Sequence, residues 1–277
     1  MNVLTKSCKN LMKELKANVI YTITNDIDFV KEIVKTFKNT KIIVATNNKL
    51  ILEEVPEDKA IFKRLSERMI IDVDVLNRVE DLLMSACIEE LLEENDVVIC
   101  LVQSRINAII TFQVTDIGLT HLKQSLQDRI DMKILDIVIT LSYEIAREGR
   151  EGRRIGSLFI LGDSENVLKN SRQLIINPFK GHTEEERNIL NSENWETIKE
   201  FAQLDGAFVI DEKGVAVSTG RYVGVSWDIY LQGGLGGRHL AAASISKTTK
   251  AIAITVSTSG IIRIFKDGKE LFKMSAI

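Results

Sequence analysis

Along the first part of this 277-residue chain, short β-branched apolar runs alternate with stretches whose apolar residues recur at helical spacing. Val19-Ile-Tyr-Thr-Ile23, Lys41-Ile-Ile-Val-Ala45 and Val97-Val-Ile-Cys-Leu-Val102 have the length and residue types of strands, and Ile106 to Val114 reads as one more. Ile27, Val30, Ile33, Val34 and Phe37 share one helical stripe. Val75, Leu76, Val79, Leu82, Leu83, Ala86, Leu91 and Leu92 share another, which predicts a helix over 75–94. Leu4 to Leu15 reads as a short amphipathic helix. Parallel strands need a long crossover, and a helix laid on the sheet is the compact way to make one. The alternation therefore predicts a small α/β unit with a largely parallel sheet, broken near Pro56 and Asp116-Ile-Gly118.

From Ile130 the pattern changes. Ile130, Ile134, Ile137, Val138, Leu141 and Ile145 form a helical face that ends at Gly149 and opens a second unit. Charged, glycine-broken Gly149–Arg154 is a loop, and Ile155 to Leu161 is a strand. Helical patterns follow through Ile175 and again from Glu193 to Leu204, with Pro178 and Gly181 between them. Beyond Gly206, strands come in quick succession: Ala207–Ile210, Val215-Ala-Val217, Ala251–Ser257 and Ile261–Phe265. Tight-turn residues join several of them, and Arg238 to Lys247 reads as a helix. The expectation is α/β throughout: a small N-terminal α/β domain over 1–125, for oligomerisation or regulation, and a catalytic domain over 126–277 with a mixed sheet flanked by helices.

Composition supports a folded core and excludes several classes. Apolar residues make up 45% and charged residues 27%, with two prolines, as in ordinary globular proteins. A net charge of −3 offers no basic footprint, so no nucleic-acid partner is expected. Cys8, Cys87 and Cys100 form no CxxC pair and the histidines show no ligand spacing, which argues against a zinc site or a disulfide framework. No run approaches the roughly 20 apolar residues that cross a bilayer. Met1 to Lys6 lacks a signal peptide's apolar core, so the expected location is cytoplasmic, without a membrane.

Two short elements carry chemistry. Asp205-Gly206-Ala207 sets a carboxylate beside two small residues, where a divalent metal and a sugar can approach closely. Alone it reads more readily as a turn before a strand. Gly233-Gly-Leu-Gly-Gly-Arg-His239 opens a helix after a glycine run. Backbone N–H groups there can face phosphate oxygens, Arg238 offers a planar donor fork, and His239 can donate a further hydrogen bond. Alone it reads more readily as a flexible loop.

Taken together, the two elements resemble the signature motifs of diadenylate cyclases, which condense two ATP into cyclic di-AMP. Glu148-Gly-Arg-Glu-Gly-Arg-Arg-Ile-Gly156, Leu161-Gly-Asp163, Asn177-Pro-Phe-Lys-Gly-His182, Ile198 to Asp205 and Ala251 to Ser257 are also similar to that family's run. The resemblance covers roughly residues 130–277 and is most like the archaeal soluble type. It implies that Asp205 holds Mn²⁺ or Mg²⁺ and helps activate the ribose 3′-hydroxyl. It further implies that Gly206, Ala207, Leu235, Gly236, Gly237, Arg238, His239 and Ser257 bind ATP, with Leu235 against adenine. Ser257 reads equally as a hydroxyl that caps a strand end. A two-fold symmetric product implies a face-to-face pair of subunits, hence a homo-oligomer.

The chain departs from the family pattern at three places: Leu240 where Arg often follows the His, Gly237 where Thr often precedes the Arg, and Thr258 where Glu often follows the Val-Ser. These departures motivate a rival reading, a non-catalytic ATP sensor. A nucleotidyltransferase acting on a macromolecule is a third reading, disfavoured for nucleic acid by the charge. Trp195 and Trp227 read as packing, Lys247 and Lys250 as a solvated helix end, and Arg150, Arg153 and Arg154 as solvent-facing.

Overall fold

A computed structural model describes residues 2–65, 75–116, 118–226, 229 and 235–276. Gly233, Gly234, Trp227 and Ile117 lie outside these residues. The chain divides into two compact units, Met1–His121 and Leu122–Ile277.

The first unit runs α1 (Val3–Glu14), β1 (Val19–Thr24), α2 (Ile27–Thr36), β2 (Lys41–Thr46), α3 (Lys49–Glu54), β3 (Ile61–Arg64), α4 (Val75–Ile88), β4 (Val97–Gln103) and β5 (Asn107–Gln113). Among the described residues its sheet has the order β3-β2-β1-β4-β5. The first four are parallel and β5 returns antiparallel along β4. Cys8, Ile20, Phe29, Val30, Ile33, Val44, Ile51, Ile99 and Leu101 are buried together in its core. Burial pushes the Cys100 thiol up to about 12, which leaves it an inert core residue.

Two details differ from the sequence reading. The helix expected over 75–94 ends at Ile88, because Glu90 turns left-handed (φ 56°) and the amides of Leu91 and Leu92 close back on the Ala86 carbonyl. Short α3 and β3 carry too few residues to display a period.

After α5 (Gly118–Leu126), the second unit runs α6 (Met132–Glu148), β6 (Ser157–Leu161), α7 (Ser164–Lys169), β7 (Ser171–Gln173), α8 (Trp195–Ala202), β8 (Ala207–Ile210), β9 (Ala216–Val223), α9 (Gly237–Thr248), β10 (Ile252–Val256), β11 (Ile261–Lys266) and β12 (Lys269–Ser275). Among the described residues the sheet order is β12-β11-β10-β6-β8-β9-β7, with β6 and β8 parallel and the other neighbours antiparallel.

Asp131 caps α6 by accepting from the Lys133 amide, and Gly149 ends it at φ 66°. Helix α9 lays Ala241, Ala242, Ala243 and Ile245 on a sheet face built from Leu158, Ile160, Ala207, Val209, Ala253 and Phe265. Small residues let the helix axis approach the sheet closely. Phe208 alternates to the other face, where its ring lies 5.3 Å from Phe179, itself 5.3 Å from Phe201 of α8.

The helical pattern read through Ile175 is half wrong. Helix α7 stops at Lys169 and Ser171–Gln173 becomes an edge strand on β9. Arg221 of β9 decides this. Its Nη2 donates to the carbonyls of Leu168 and Ser171 at 2.8 Å, and its Nε donates to Ser171 Oγ at 2.8 Å. A residue fifty positions away thus supplies donors that a continued helix would leave unmet.

Arg150 is also corrected. It is half-buried and pairs with Glu196 at 3.2 Å and Glu200 at 2.8 Å on α8. Trp195 packs, as read, and donates its indole N–H to the Ile189 carbonyl at 2.7 Å.

Candidate active site

One edge of the seven-stranded sheet gathers the motif residues. Strands β6 and β8 run in parallel and start there, while β10 runs against β6 and ends there, with Val256 opposite Ser157. Gly156, Gly206 and Ser257 therefore sit at the same edge, each adjoining one of these strand ends.

Gly206 enters β8 at φ +105°, and a Cβ there would lie 2.7 Å from the backbone N and 2.8 Å from the carbonyl O of Arg221. Only glycine fits that approach. The turn projects Asp205 off the strand end, leaving its side chain 92% exposed. Ala207 behind it is buried in the sheet.

Helix α9 starts at the same edge. Gly236 is its N-cap in extended conformation, with no capping side chain. Among the described residues, a Cβ at Gly236 or Gly237 would meet nothing within 4 Å. The first-turn amides of a helix have no intrahelical acceptor and carry the positive end of its dipole, a setting that favours anions. Leu235 is half-buried immediately before the cap.

Arg238 lies over Gly156. A Cβ on Gly156 would come within 2.8 Å of the Arg238 Nη1 and 3.2 Å of the Val256 carbonyl O. Its Nη2 stands 3.5 Å from Asp205 Oδ1, at the outer limit of a hydrogen bond, and its Nε is buried without a partner among the described residues. A held guanidinium with loosely engaged donors can turn them to a phosphate.

His239 is buried, 9% exposed. Its Nε2 lies 3.4 Å from Nη1 of Arg263, whose Nε lies 3.1 Å from Glu270 on β12. Its Nδ1 is buried with no hydrogen-bond partner among the described residues. Burial first, then the Arg263 charge, and then Arg238 hold the ring below its ordinary value; the nearby Gly236 backbone opposes them without the geometry of a full hydrogen bond. The ring is therefore neutral near pH 7.

The Ser257 hydroxyl is engaged in the turn: it accepts from the Ile261 amide at 3.1 Å and shares a hydrogen bond with Ser259 Oγ at 2.8 Å. Thr258 and Ser259 are exposed and Leu240 is half-buried.

Asp205 and Arg238 are thus brought together, with Ser257 adjoining Val256 at the same edge. Gly156, Arg263 and Glu270 were not among the residues singled out as a site. A glycine before an apolar strand, and an arginine alternating with Phe265 on an inward face, are the signals that could have found the first two.

Among the described residues no group of three His, Cys, Asp or Glu could hold a metal. Asp205 is a lone exposed carboxylate. That suits a hard cation that takes its remaining ligands from phosphate and water.

An edge that joins a helix N-terminus, an arginine and an exposed carboxylate suits an anionic ligand with a cation. Residues 144–270 match the family model described as DisA bacterial checkpoint controller nucleotide-binding. The diadenylate cyclase of Methanocaldococcus jannaschii is 38% identical over 253 residues, covering 85% of this chain and 78% of that protein. An alignment of that length extends into the first unit. The diadenylate cyclase of Haloferax volcanii is 39% identical over 149 residues, 53% of this chain and 54% of that protein. The chain belongs to the diadenylate cyclase family of enzymes. Among solved structures, DacA from Staphylococcus aureus aligns with a TM-score of 0.37 at 23% identity, over 50% of this chain and 85% of that one.

Proposed function

We propose that this protein condenses two ATP into cyclic di-AMP and releases two pyrophosphates. The observation that carries the reading is the meeting of Asp205 with Arg238 at the N-terminus of α9, on one sheet edge. Each ribose 3′-oxygen forms a bond to the α-phosphorus of the other nucleotide as the bond to pyrophosphate breaks, and the hydroxyl proton leaves to the carboxylate side or to water. Such reactions depend chiefly on alignment and on stabilising charge.

The exposed Asp205 carboxylate accepts from the 3′-hydroxyl and holds Mn²⁺ or Mg²⁺. The cation, when bound, neutralises triphosphate charge. Gly206 and Ala207 leave room for the ribose, and Leu235 contacts adenine. The open amides at Gly236 and Gly237, the Arg238 fork, His239 and Ser257 bind the phosphates. Ser257 must surrender its bond to Ser259 to do so.

Two such sites face each other across a symmetric pair of subunits, because each 3′-hydroxyl needs the other site's phosphorus. No described helix is long and apolar enough to cross a membrane. On this reading the reaction is assigned to the cytoplasm because ATP is available there. Residues 1–125 govern assembly or regulation, and 126–277 carry the chemistry.

The test incubates purified protein with ATP and either cation, beside Asp205→Asn, and separates nucleotides by chromatography with mass detection. Cyclic di-AMP from the wild type alone is expected. ATP binding with no product in either cation overturns the reading in favour of a sensor, which the departures at Leu240 and Thr258 would then explain.

A further inference from the structure

We infer that Arg263, anchored by Glu270, is a positioning residue that holds His239 in its Nδ1–H tautomer, so that the ring presents a donor at the N-terminus of α9. The argument starts from what arginine can do. A guanidinium has only donors and does not deprotonate in proteins. The His239 Nε2 that faces Arg263 Nη1 at 3.4 Å must therefore be the acceptor, and in a neutral ring the proton then resides on Nδ1. That Nδ1 is buried with no hydrogen-bond partner of full geometry among the described residues, in the first turn of α9 and near the Gly236 backbone.

Arg263 has little freedom to move. Its side chain is 11% exposed, Glu270 takes its Nε at 3.1 Å, and β11 is paired on both sides. Phe265, two residues along the same strand, meets the ring edge-on at 6.4 Å between centroids. A donor whose tautomer is settled before the substrate arrives needs no reorganisation when charge develops. Histidine free in water prefers the Nε2–H form, and a donor-only arginine facing Nε2 works against that preference.

The inference rests on the proposed function only for what Nδ1–H meets, a phosphate oxygen. The tautomer itself is independent of it, and so is the first measurement. The full chain, labelled with ¹⁵N at histidine, contains three histidines, His121, His182 and His239. Their ring nitrogens are read by long-range ¹H–¹⁵N correlation without nucleotide. Exposed His121 and His182 serve as internal references, and His239→Gln assigns the third signal set. His239 is expected as a single neutral Nδ1–H species, converting mostly to Nε2–H in Arg263→Met. Arg263→Lys should partly restore it.

A wild-type ring in the Nε2–H form overturns the inference, and so does a folded Arg263→Met variant with an unchanged tautomer. Where Arg263→Met does not fold, Glu270→Gln loosens the arginine and should populate the second tautomer. In the cyclase assay the loss in Arg263→Met is expected in kcat, about tenfold, with KM nearly unchanged. A loss confined to KM would assign Arg263 to binding and overturn positioning. If no cyclic di-AMP forms at all, the proposed reaction fails while the tautomer result stands.

Discussion

The two sheets end in opposite ways. At the C-terminal ends of β1, β2 and β4 in the first unit, polar side chains satisfy one another. Thr24 donates to Gln103 at 2.6 Å, Gln103 to Asp26 at 3.0 Å, and Thr46 to Asn25 at 2.8 Å. At the edge of the second sheet, Arg238 Nε and His239 Nδ1 are buried with no hydrogen-bond partner among the described residues, and the bond between Arg238 and Asp205 is stretched to 3.5 Å. Buried polar groups normally find partners, so a pair that finds none among the described residues supports the proposed ligand-binding role of this edge. The Gln103 and Phe29 hydrogen bonds hold the Asp26 carboxyl below its usual range, marking the first edge as already complete.

The largest effect should come from Asp205→Asn, which is expected to lower cyclic di-AMP formation by about a thousandfold or more, roughly 4 kcal/mol of barrier. With the side chain 92% exposed, the melting temperature should not move. Undiminished turnover in the variant would show that the unsatisfied edge is not where chemistry occurs.

Next in size is Gly206→Ala. Its Cβ would strike the Arg221 backbone at 2.7 Å in a left-handed conformation, so a loss of about 2–4 kcal/mol is expected in urea unfolding. Gly156→Ala meets chiefly the movable Arg238 Nη1, and should cost about 1 kcal/mol or less of stability yet reduce turnover about tenfold. Equal stability losses at the two glycines would mean that neither serves the site specifically.

Thr24→Val probes the satisfied edge. It strips the partner from Gln103 Oε1 and from the Asp26 amide, at a cost of about 1–3 kcal/mol in stability, with turnover by folded protein unchanged. A steep fall in kcat without a stability change would erase the contrast between the edges.

The smallest effect is in pH. Burial, with the Arg263 charge, lowers the His239 value, so the unfolded chain takes up this proton first as pH falls. The resulting stability is whole above about pH 6.5 and is lost as pH drops through the folded-state value. His239→Gln should flatten the thermal melts between about pH 5 and 7 by that increment. Identical acid sensitivity in both proteins would show that the ring is not buried neutral.

Local pattern went far along this chain. The strand runs at Val19, Lys41, Val97 and Ala251, the α6 stop at Gly149, and the junction of Asp205 with a following strand were legible because each is encoded within a few neighbouring residues. The elements that were misread depend on distant partners: β7 exists because Arg221 reaches it, and Arg150 is held off solvent because α8 brings two glutamates to it. At the candidate site, the residue types in the two short motifs were visible as chemistry, while their supports were not.

What the sequence alone determined is the alternation that demands α/β layers and the motif residues that carry charge and flexibility, since periodicity and side-chain type are local properties. Only the tertiary structure decided that Gly156 makes room for Arg238, that Gly206 rests against Arg221, and that Arg263 stands behind His239. Those relations arise from strand order and register, which bring together residues far apart in the chain.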